Sequence, residues 1–100
     1  MHICVDFDGT ICDNTRIKPG FRMGEPMAGA KEALQYFESQ NWEIIVFTAR
    51  DRFSPVMDWL DHFEIPYSRV TNIKPPEADL FIDDRAVHFE SWAQIIDSLT

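Results

Sequence analysis

The sequence predicts a single α/β domain with a mainly parallel sheet. Short apolar runs rich in β-branched residues alternate along the 100 residues with longer segments whose apolar residues recur at helical spacing. The order strand, helix, strand, helix, strand, strand, helix is typical of parallel strands joined by right-handed crossovers. Because 45% of the residues are hydrophobic and 13% are aromatic, the chain can form its own core. We therefore expect residues 1–100 to fold as one Rossmann-like three-layer sandwich.

Four strands are predicted, and each is a short apolar run that leads into polar residues. The first is the run Ile3-Cys4-Val5, and the two clearest cover residues 43–48 and 79–83. A shorter candidate covers residues 67–71 and is followed by Asn72. Continuous apolar runs of this length favour strands that are buried on both faces of a sheet.

Three helices are predicted from apolar residues spaced three or four positions apart. In residues 28–40 these are Ala30, Ala33, Leu34 and Phe37. In the helix that starts at Ser54 and Pro55 they are Val56, Met57, Leu60 and Phe63. In the last helix they are Trp92, Ile95, Ile96 and Leu99. Ser54 before Pro55 predicts an N-cap with proline at the first helical position, and Ser91 with Gln94 predicts a capping box.

Charge and the absence of targeting signals narrow the function classes. A net charge of −8 argues against a nucleic-acid partner, because binding to a phosphate backbone depends on many cationic contacts. No apolar stretch approaches the roughly 20 residues that cross a bilayer, and the N-terminus lacks the pattern of a signal peptide. We expect a cytoplasmic protein with no membrane partner. Cys4 and Cys12 lack Cys-x-x-Cys spacing, so both are expected to be free thiols.

The residues that follow the first strand resemble a reaction centre. Asp6-Phe7-Asp8-Gly9-Thr10 places two carboxylates where the strand ends, and side-chain alternation turns both to one side and Phe7 to the other. Gly9 lets the backbone turn, so that successive N–H groups can form an anion-binding concavity. On these residues alone, an ordinary Asp-Gly turn is an equal reading.

Three predicted strands deliver polar side chains to one edge of the sheet. Asp6, Thr48 and the pair Asp83-Asp84 all stand at carboxyl ends of strands. In open parallel sheets the ligand binds beyond these ends. The sequence therefore predicts a site at this edge.

At this point the chain resembles the haloacid dehalogenase (HAD) superfamily. Its phosphatases carry Asp-x-Asp-Gly-Thr after the first strand, then a Thr or Ser, a Lys, and an acidic pair. The same elements appear here in order, as Asp6 to Thr10, Thr48, Lys74 and Asp83-Asp84. The resemblance covers essentially the whole chain and implies a phosphomonoester hydrolase.

The resemblance also implies a role for each residue. Asp6 would be the nucleophile that forms an aspartyl-phosphate, and Asp8 the general acid and base. An Mg²⁺ ion would be held by the Asp6 carboxylate, the Asp8 carbonyl and Asp83. Asp84 would hold a metal-bound water or orient Lys74. The phosphate-binding groups would be Thr48, Lys74 and the N–H groups of Phe7, Asp8 and Gly9.

The basic residues supply a second line of evidence. Of nine, seven fall in loops that follow carboxyl ends of strands: Arg16, Lys18, Arg22, Arg50, Arg52, Lys74 and Arg85. An acidic protein thus concentrates cations on one face, which favours an anionic small-molecule substrate. Arg16, Lys18, Arg22 and Arg50 are the candidates for binding its leaving group.

One departure from the family concerns the cap domain that most members insert. Residues 11–43 hold only a short loop and one helix, so the chain is expected to be capless. Lids exclude water and contact the leaving group. Without one, the site suits a large substrate, or a second copy of the chain covers it as a homo-oligomer.

Several alternatives remain open at the level of sequence. The substrate can be a sugar phosphate such as a heptose bisphosphate, a nucleotide, or a macromolecule such as a nucleic-acid 3′-phosphate end. A receiver-like phospho-acceptor domain uses similar residues, but its acidic pair follows the first strand and its Lys comes last. A binding module that has lost catalysis is the third class.

Overall fold

The described residues of this computed structural model are 1–20, 22–83 and 91–99. They form six strands and three helices. The strands are β1 (His2–Asp6), β2 (Cys12–Asp13), β3 (Glu25–Pro26), β4 (Glu43–Phe47), β5 (Arg69–Thr71) and β6 (Leu80–Ile82). The helices are α1 (Ala30–Ser39), α2 (Ser54–His62) and α3 (Trp92–Leu99).

Four of the strands form one parallel sheet in the order β5-β4-β1-β6. The central strand β1 pairs with β4 on one side and β6 on the other, so that Val5 lies between Val46 and Ile82. This parallel sheet with helices packed on it confirms the predicted α/β Rossmann-like sandwich. Because all four strands run in one direction, their carboxyl ends meet at the same edge.

The main core lies on the face of the sheet that carries Ile3 and Val5. All three helices contribute buried side chains to it, among them Leu34, Leu60 and Trp92. Burial of these side chains is the main source of stability for a domain of this size.

The opposite face of the sheet is covered by the connection between β5 and β6. Cys4 and Ile45 are buried on this face. Pro75 is buried in the connection, and the ammonium of Lys74 lies 4.4 Å from the centre of the Phe47 ring. This covering segment therefore brings a cation from the β5–β6 connection to the strand ends.

Two details of the predicted helix α2 are wrong. Phe53, with φ −88° and ψ −26°, is the N-cap, and no side chain caps the helix, so Ser54 is already helical. Met57 is 40% exposed, whereas Trp59 is buried. The apolar face runs through Val56, Trp59 and Leu60, and Met57 lies one position off that face.

The other two helices differ from prediction less. Helix α1 begins at Ala30 rather than at residue 28, because Gly29 has a left-handed φ of 85° that does not continue a helix. Helix α3 begins at Trp92 as expected. The predicted capping-box partner of Ser91 is Gln94, whose side chain lies outside the described part of the chain.

The expectation of a plain loop after the first motif is also wrong. Strands β2 and β3 pair as a short antiparallel ribbon, with Cys12 opposite Pro26 and Asp13 opposite Glu25. Each strand has only two residues, and one contains proline, so the period-two signal of a strand is absent from the sequence. Between β1 and β4, the described residues hold this ribbon and α1.

Both cysteines are free and buried, as expected. Burial raises the pKa of each thiol to about 11. Both therefore stay as neutral, weakly reactive thiols near pH 7. In the described part of the chain, no helix is both long enough and apolar enough to cross a membrane.

Candidate active site

The carboxyl edge of the sheet brings three predicted site residues together. Asp6 ends β1, Thr48 directly follows β4, and Asp83 directly follows β6. Because Val5 pairs with Ile82, the next residues, Asp6 and Asp83, emerge beside each other on neighbouring strands. The parallel register thus brings two carboxylates and a hydroxyl to the same edge of the sheet.

The turn after β1 separates its carboxylates from the core. The Phe7 side chain is fully buried and meets the ring of Trp59 edge-on at a centroid distance of 5.1 Å. Asp6 and Asp8, on either side of it, are only partly buried. The alternation expected from the sequence therefore holds, and Phe7 anchors the turn.

The N–H groups of Phe7 and Gly9 do not serve as predicted. The Phe7 N–H donates to the carbonyl of Phe47, and the Gly9 N–H donates to the carbonyl of Cys12, each at 2.9 Å. Gly9 has a φ of 82°, and this left-handed conformation closes the turn on itself. Both N–H groups already donate to backbone carbonyls, so we no longer count them among the phosphate-binding groups. Of the three predicted amides, that of Asp8 remains.

The side chains of Arg50 and Asn14 bind the carboxylate of Asp8. We call these three residues the Asp8 cluster. The guanidinium of Arg50 donates through Nη2 to Oδ1 at 2.9 Å and through Nε to Oδ2 at 3.2 Å. Asn14 Nδ2 donates to Oδ1 at 2.7 Å. Burial alone would raise the pKa of Asp8, but the hydrogen bonds and the Arg50 charge outweigh it and lower the pKa. Asp8 is therefore a carboxylate in this arrangement.

Asn14 is a site residue that the sequence analysis missed. Besides its bond to Asp8, its Oδ1 accepts the N–H of Gly24 at 3.2 Å and the thiol of Cys12 at 3.2 Å. Asn14 therefore links Asp8 in the turn with Cys12 in the ribbon and with Gly24, just before β3. The only signal in the sequence was a polar residue six positions after Asp8, which is too common to indicate a site.

Lys74 pairs with Asp83 on the other side of the edge, and we call these two the Lys74 pair. The distance from Nζ to Oδ2 is 2.8 Å, and the Asp83 side chain is only 9% exposed. The ammonium also lies over the rings of Phe47 and Phe81, 4.4 Å and 5.5 Å from their centres. The rings and the carboxylate fix this cation beside the strand ends.

The hydroxyl of Thr48 stands at the carboxyl end of β4, two residues before Arg50. Thr48 is 1% exposed, and its N–H donates to the carbonyl of Thr71 at 2.9 Å. Its Oγ1 accepts the N–H of Arg50 at 3.1 Å. Since a hydroxyl that accepts one bond can still donate its own proton, Thr48 remains suited to bind an anion.

The donor atoms at this edge suit a hard cation. Carboxylates of Asp6 and Asp83 are the oxygen ligands that Mg²⁺ prefers. The Asp8 carboxylate is taken up by Arg50 and Asn14, which leaves its carbonyl, as the family resemblance implied. Within residues 1–20, 22–83 and 91–99, no three His, Cys, Asp or Glu side chains gather into a metal-binding group. Asp84, the remaining predicted ligand, lies outside the described residues, as does Arg85.

The four predicted leaving-group residues do not all lie together. Lys18, Arg22 and Arg50 line one pocket of about 560 Å³ between the ribbon and α2. Arg16 lines a separate, shallower depression with Lys18. Two of these cations already have partners, because Arg50 binds Asp8 and Lys18 lies 3.0 Å from Glu25.

Comparison with known proteins supports the fold and leaves the activity open. Neither the protein families nor the curated proteins provide a match to this chain. Among solved structures, the chain is similar to a conserved protein from Bacteroides thetaiotaomicron, with 26% identity and a TM-score of 0.77. The similarity covers 99% of this chain and 88% of that one, so both share the same α/β architecture over nearly their whole length.

Proposed function

We propose that this chain is a Mg²⁺-dependent phosphomonoester hydrolase of the HAD type that acts through an aspartyl-phosphate on Asp6. The observation that carries the proposal is the meeting of Asp6, Thr48 and the Lys74 pair at one edge of the sheet. A carboxylate nucleophile is repelled by phosphoryl oxygens, so it needs fixed cations and donors beside it. The preferred substrate is a small phosphorylated metabolite, and the proposed location is the cytoplasm.

The first step transfers the phosphoryl group to the enzyme. A carboxylate oxygen of Asp6 attacks phosphorus, the ester P–O bond breaks, and Asp8 donates a proton to the departing oxygen. The Thr48 hydroxyl and the Lys74 ammonium stabilise the negative charge on the transferred group. The carboxylates of Asp6 and Asp83 and the Asp8 carbonyl would hold Mg²⁺, which would supply further positive charge to the site.

The second step releases phosphate. Asp8, now a carboxylate, takes a proton from water, which attacks phosphorus and frees the Asp6 carboxylate. For the first step Asp8 has to carry a proton, although Arg50 and Asn14 lower its pKa. An anionic substrate offers Arg50 another partner, and when Arg50 turns toward it, the carboxyl of Asp8 can hold the proton.

A second function, a phospho-acceptor that does not turn over, is favoured by one observation. The Asp8 carboxylate is already bound on two sides by Arg50 and Asn14, and a group held in that state is a poor acid. Such a domain would take one phosphoryl group and keep it.

Turnover of a panel of phosphomonoesters, with Mg²⁺ or with EDTA, tests the proposal. We expect many turnovers per chain in Mg²⁺ and none in EDTA. Asp6→Asn should abolish activity, because the amide is nearly isosteric but not nucleophilic. Asp51→Asn is the matched control, since Asp51 is an exposed carboxylate in the loop after β4. Release of one leaving group per chain, with the phosphoryl group kept on the protein, would favour the phospho-acceptor. Full activity of Asp6→Asn would contradict both.

A further inference from the structure

A pocket lined by residues 18 and 22–25 on one side and by α2 on the other, here the ribbon–α2 pocket, has so far been described only through its cations. Its volume is about 560 Å³, within the range of about 300–1,000 Å³ that is usual for small-molecule sites. Apolar side chains form most of its wall, from Met23, Pro55, Trp59 and Phe63. A wall of this kind suits a flat apolar group better than a sugar, whose hydroxyls need many polar partners.

The aromatic part of this wall is held rigidly. Trp59 is 8% exposed, and its Nε1–H donates to the carbonyl of Gly24 at 3.0 Å. Its ring contacts Phe63 at a centroid distance of 4.8 Å and Phe7 at 5.1 Å. A pre-organised ring binds a planar ligand at little cost in side-chain entropy. Phe7 belongs to the turn after β1, so its contact with Trp59 connects the pocket wall with that turn.

Gly24, which lines the pocket, lets the backbone of residues 13 and 14 approach closely. A Cβ at this position would lie 1.8 Å from the backbone oxygen of Asp13, so no larger residue fits without a backbone shift. Its N–H is bound by Asn14 and its carbonyl by Trp59. The same glycine thus connects the pocket wall with the Asp8 cluster.

One charged residue of the pocket also belongs to the Asp8 cluster. Arg50 lines the pocket and also binds Asp8 in a bidentate manner, so it joins the two. Arg22 adds a second cation, while the charge of Lys18 is offset by Glu25 and an exposed Asp58 lies on α2. A ligand that is anionic at the end near Arg50 and uncharged over the aromatic wall matches this distribution.

We infer that the ribbon–α2 pocket holds the leaving group of the phosphomonoester and that this group carries a planar aromatic ring, such as a nucleobase or an aryl ring. The inference rests on the proposed function and adds the substrate class to it. The phosphoryl group lies at the strand ends, and the ring lies against Trp59 and Phe63. In this arrangement the pocket contacts the leaving group, as a cap domain does in most members of the HAD superfamily.

Ring binding can be measured without any turnover. In ¹H–¹⁵N spectra, the indole N–H of Trp59 is assigned with Trp59→Phe, and Trp42 and Trp92 serve as internal references. Adenosine and uridine probe nucleobases, benzyl alcohol probes an aryl ring, and glycerol is the ring-free control. We expect saturable shifts of the Trp59 signal with at least one ring compound and none with glycerol.

Variants on α2 give a matched comparison. Phe63→Leu should weaken ring binding about 2- to 10-fold, the range that a lost aromatic contact produces. Met57→Leu, on the same helix but 40% exposed and outside the pocket, should bind rings as wild type does. With active enzyme, Phe63→Leu should lower the ratio of kcat/KM for ring-bearing esters to that for glycerol phosphate by the same factor.

The outcomes separate this inference from the proposed function. Absence of a saturable Trp59 shift, or equal binding by Phe63→Leu and wild type, overturns the inference even if the chain hydrolyses phosphate esters. Ring binding without turnover of any ester overturns the leaving-group role together with the proposed function. Preference for the nucleosides identifies a nucleotide substrate, and preference for benzyl alcohol identifies an aryl ester.

Discussion

The Asp8 cluster and the Lys74 pair lie at the same edge of the sheet, but their surroundings differ. In the Asp8 cluster both charged partners face water in part, with Asp8 38% and Arg50 36% exposed. In the Lys74 pair the carboxylate is only 9% exposed, whereas the Lys74 side chain is 47% exposed and its ammonium lies over two aromatic rings. Both partners of the first ion pair are therefore open to solvent, whereas the second pair has a buried carboxylate with an exposed cation.

This difference separates groups that can change partners from groups that cannot. An ion pair in water contributes little to stability, so Arg50 can leave Asp8 for a substrate at low cost. A buried carboxylate that loses its cation is costly, so Lys74 stays beside Asp83 until another cation replaces it. We expect the Asp8 cluster to control the reaction and the Lys74 pair to control stability and the charge of the site.

Among changes within these two groups, the largest effect is expected for Asp8→Asn. The rate should fall by about 10²–10⁴, the range for a lost general acid or base, with a smaller loss for esters whose leaving group needs no proton. Stability should change little, because the amide can keep its bond to Asn14. Initial rates on matched aryl and alkyl phosphates test this, and equal losses on both would leave Asp8 a purely structural role.

Lys74→Met tests the other group. The variant keeps an apolar chain near the rings but takes a charge from a buried carboxylate, so the free energy of unfolding should fall by about 1–3 kcal/mol. Lys74→Met/Asp83→Asn should recover part of this loss, since the carboxylate charge is then gone. Urea unfolding in EDTA measures both. A double variant less stable than the single one would show that the pair is not the source of the effect.

Arg50→Gln should have the smallest effect on stability, up to about 1 kcal/mol near pH 7. The pKa of Asp8 is lowered in the folded chain, so the stabilisation is present above the unfolded-state pKa of about 3.9 and is lost as the pH falls through the folded-state value. The difference from wild type should therefore close in acid. A difference that does not shrink as the pH falls below the unfolded-state pKa would mean that Arg50 acts through packing instead.

Local patterns in the sequence predict much of this molecule. Apolar runs indicate the parallel strands, and the polar residues at their ends indicate the site, because the carboxyl ends of parallel strands meet at one edge. Helical spacing located α1, α2 and α3. Met57 was wrongly predicted to be buried, because spacing alone cannot distinguish an apolar residue beside the buried stripe from a member of it.

Contacts between distant residues could not be predicted in the same way. Asp8 and Arg50 are 42 positions apart, and the orientation of the guanidinium depends on how the loop after β4 folds back. The two-residue strands of the ribbon give no periodic signal, and the role of Asn14 depends on that ribbon. The use of the Phe7 and Gly9 amides is likewise a property of the closed turn rather than of the motif.

The most direct test of the account is whether Asp6 becomes phosphorylated during turnover. Wild-type chain is mixed with a substrate in Mg²⁺, quenched in acid within the first turnovers, digested and analysed by mass spectrometry, with Asp6→Asn and Asp51→Asn in parallel. We expect a phosphoryl group on the Asp6 peptide of wild type and Asp51→Asn, its loss on treatment with hydroxylamine, and none in Asp6→Asn. A phosphoryl group on another residue, or turnover by Asp6→Asn at the wild-type rate, would contradict the central claim.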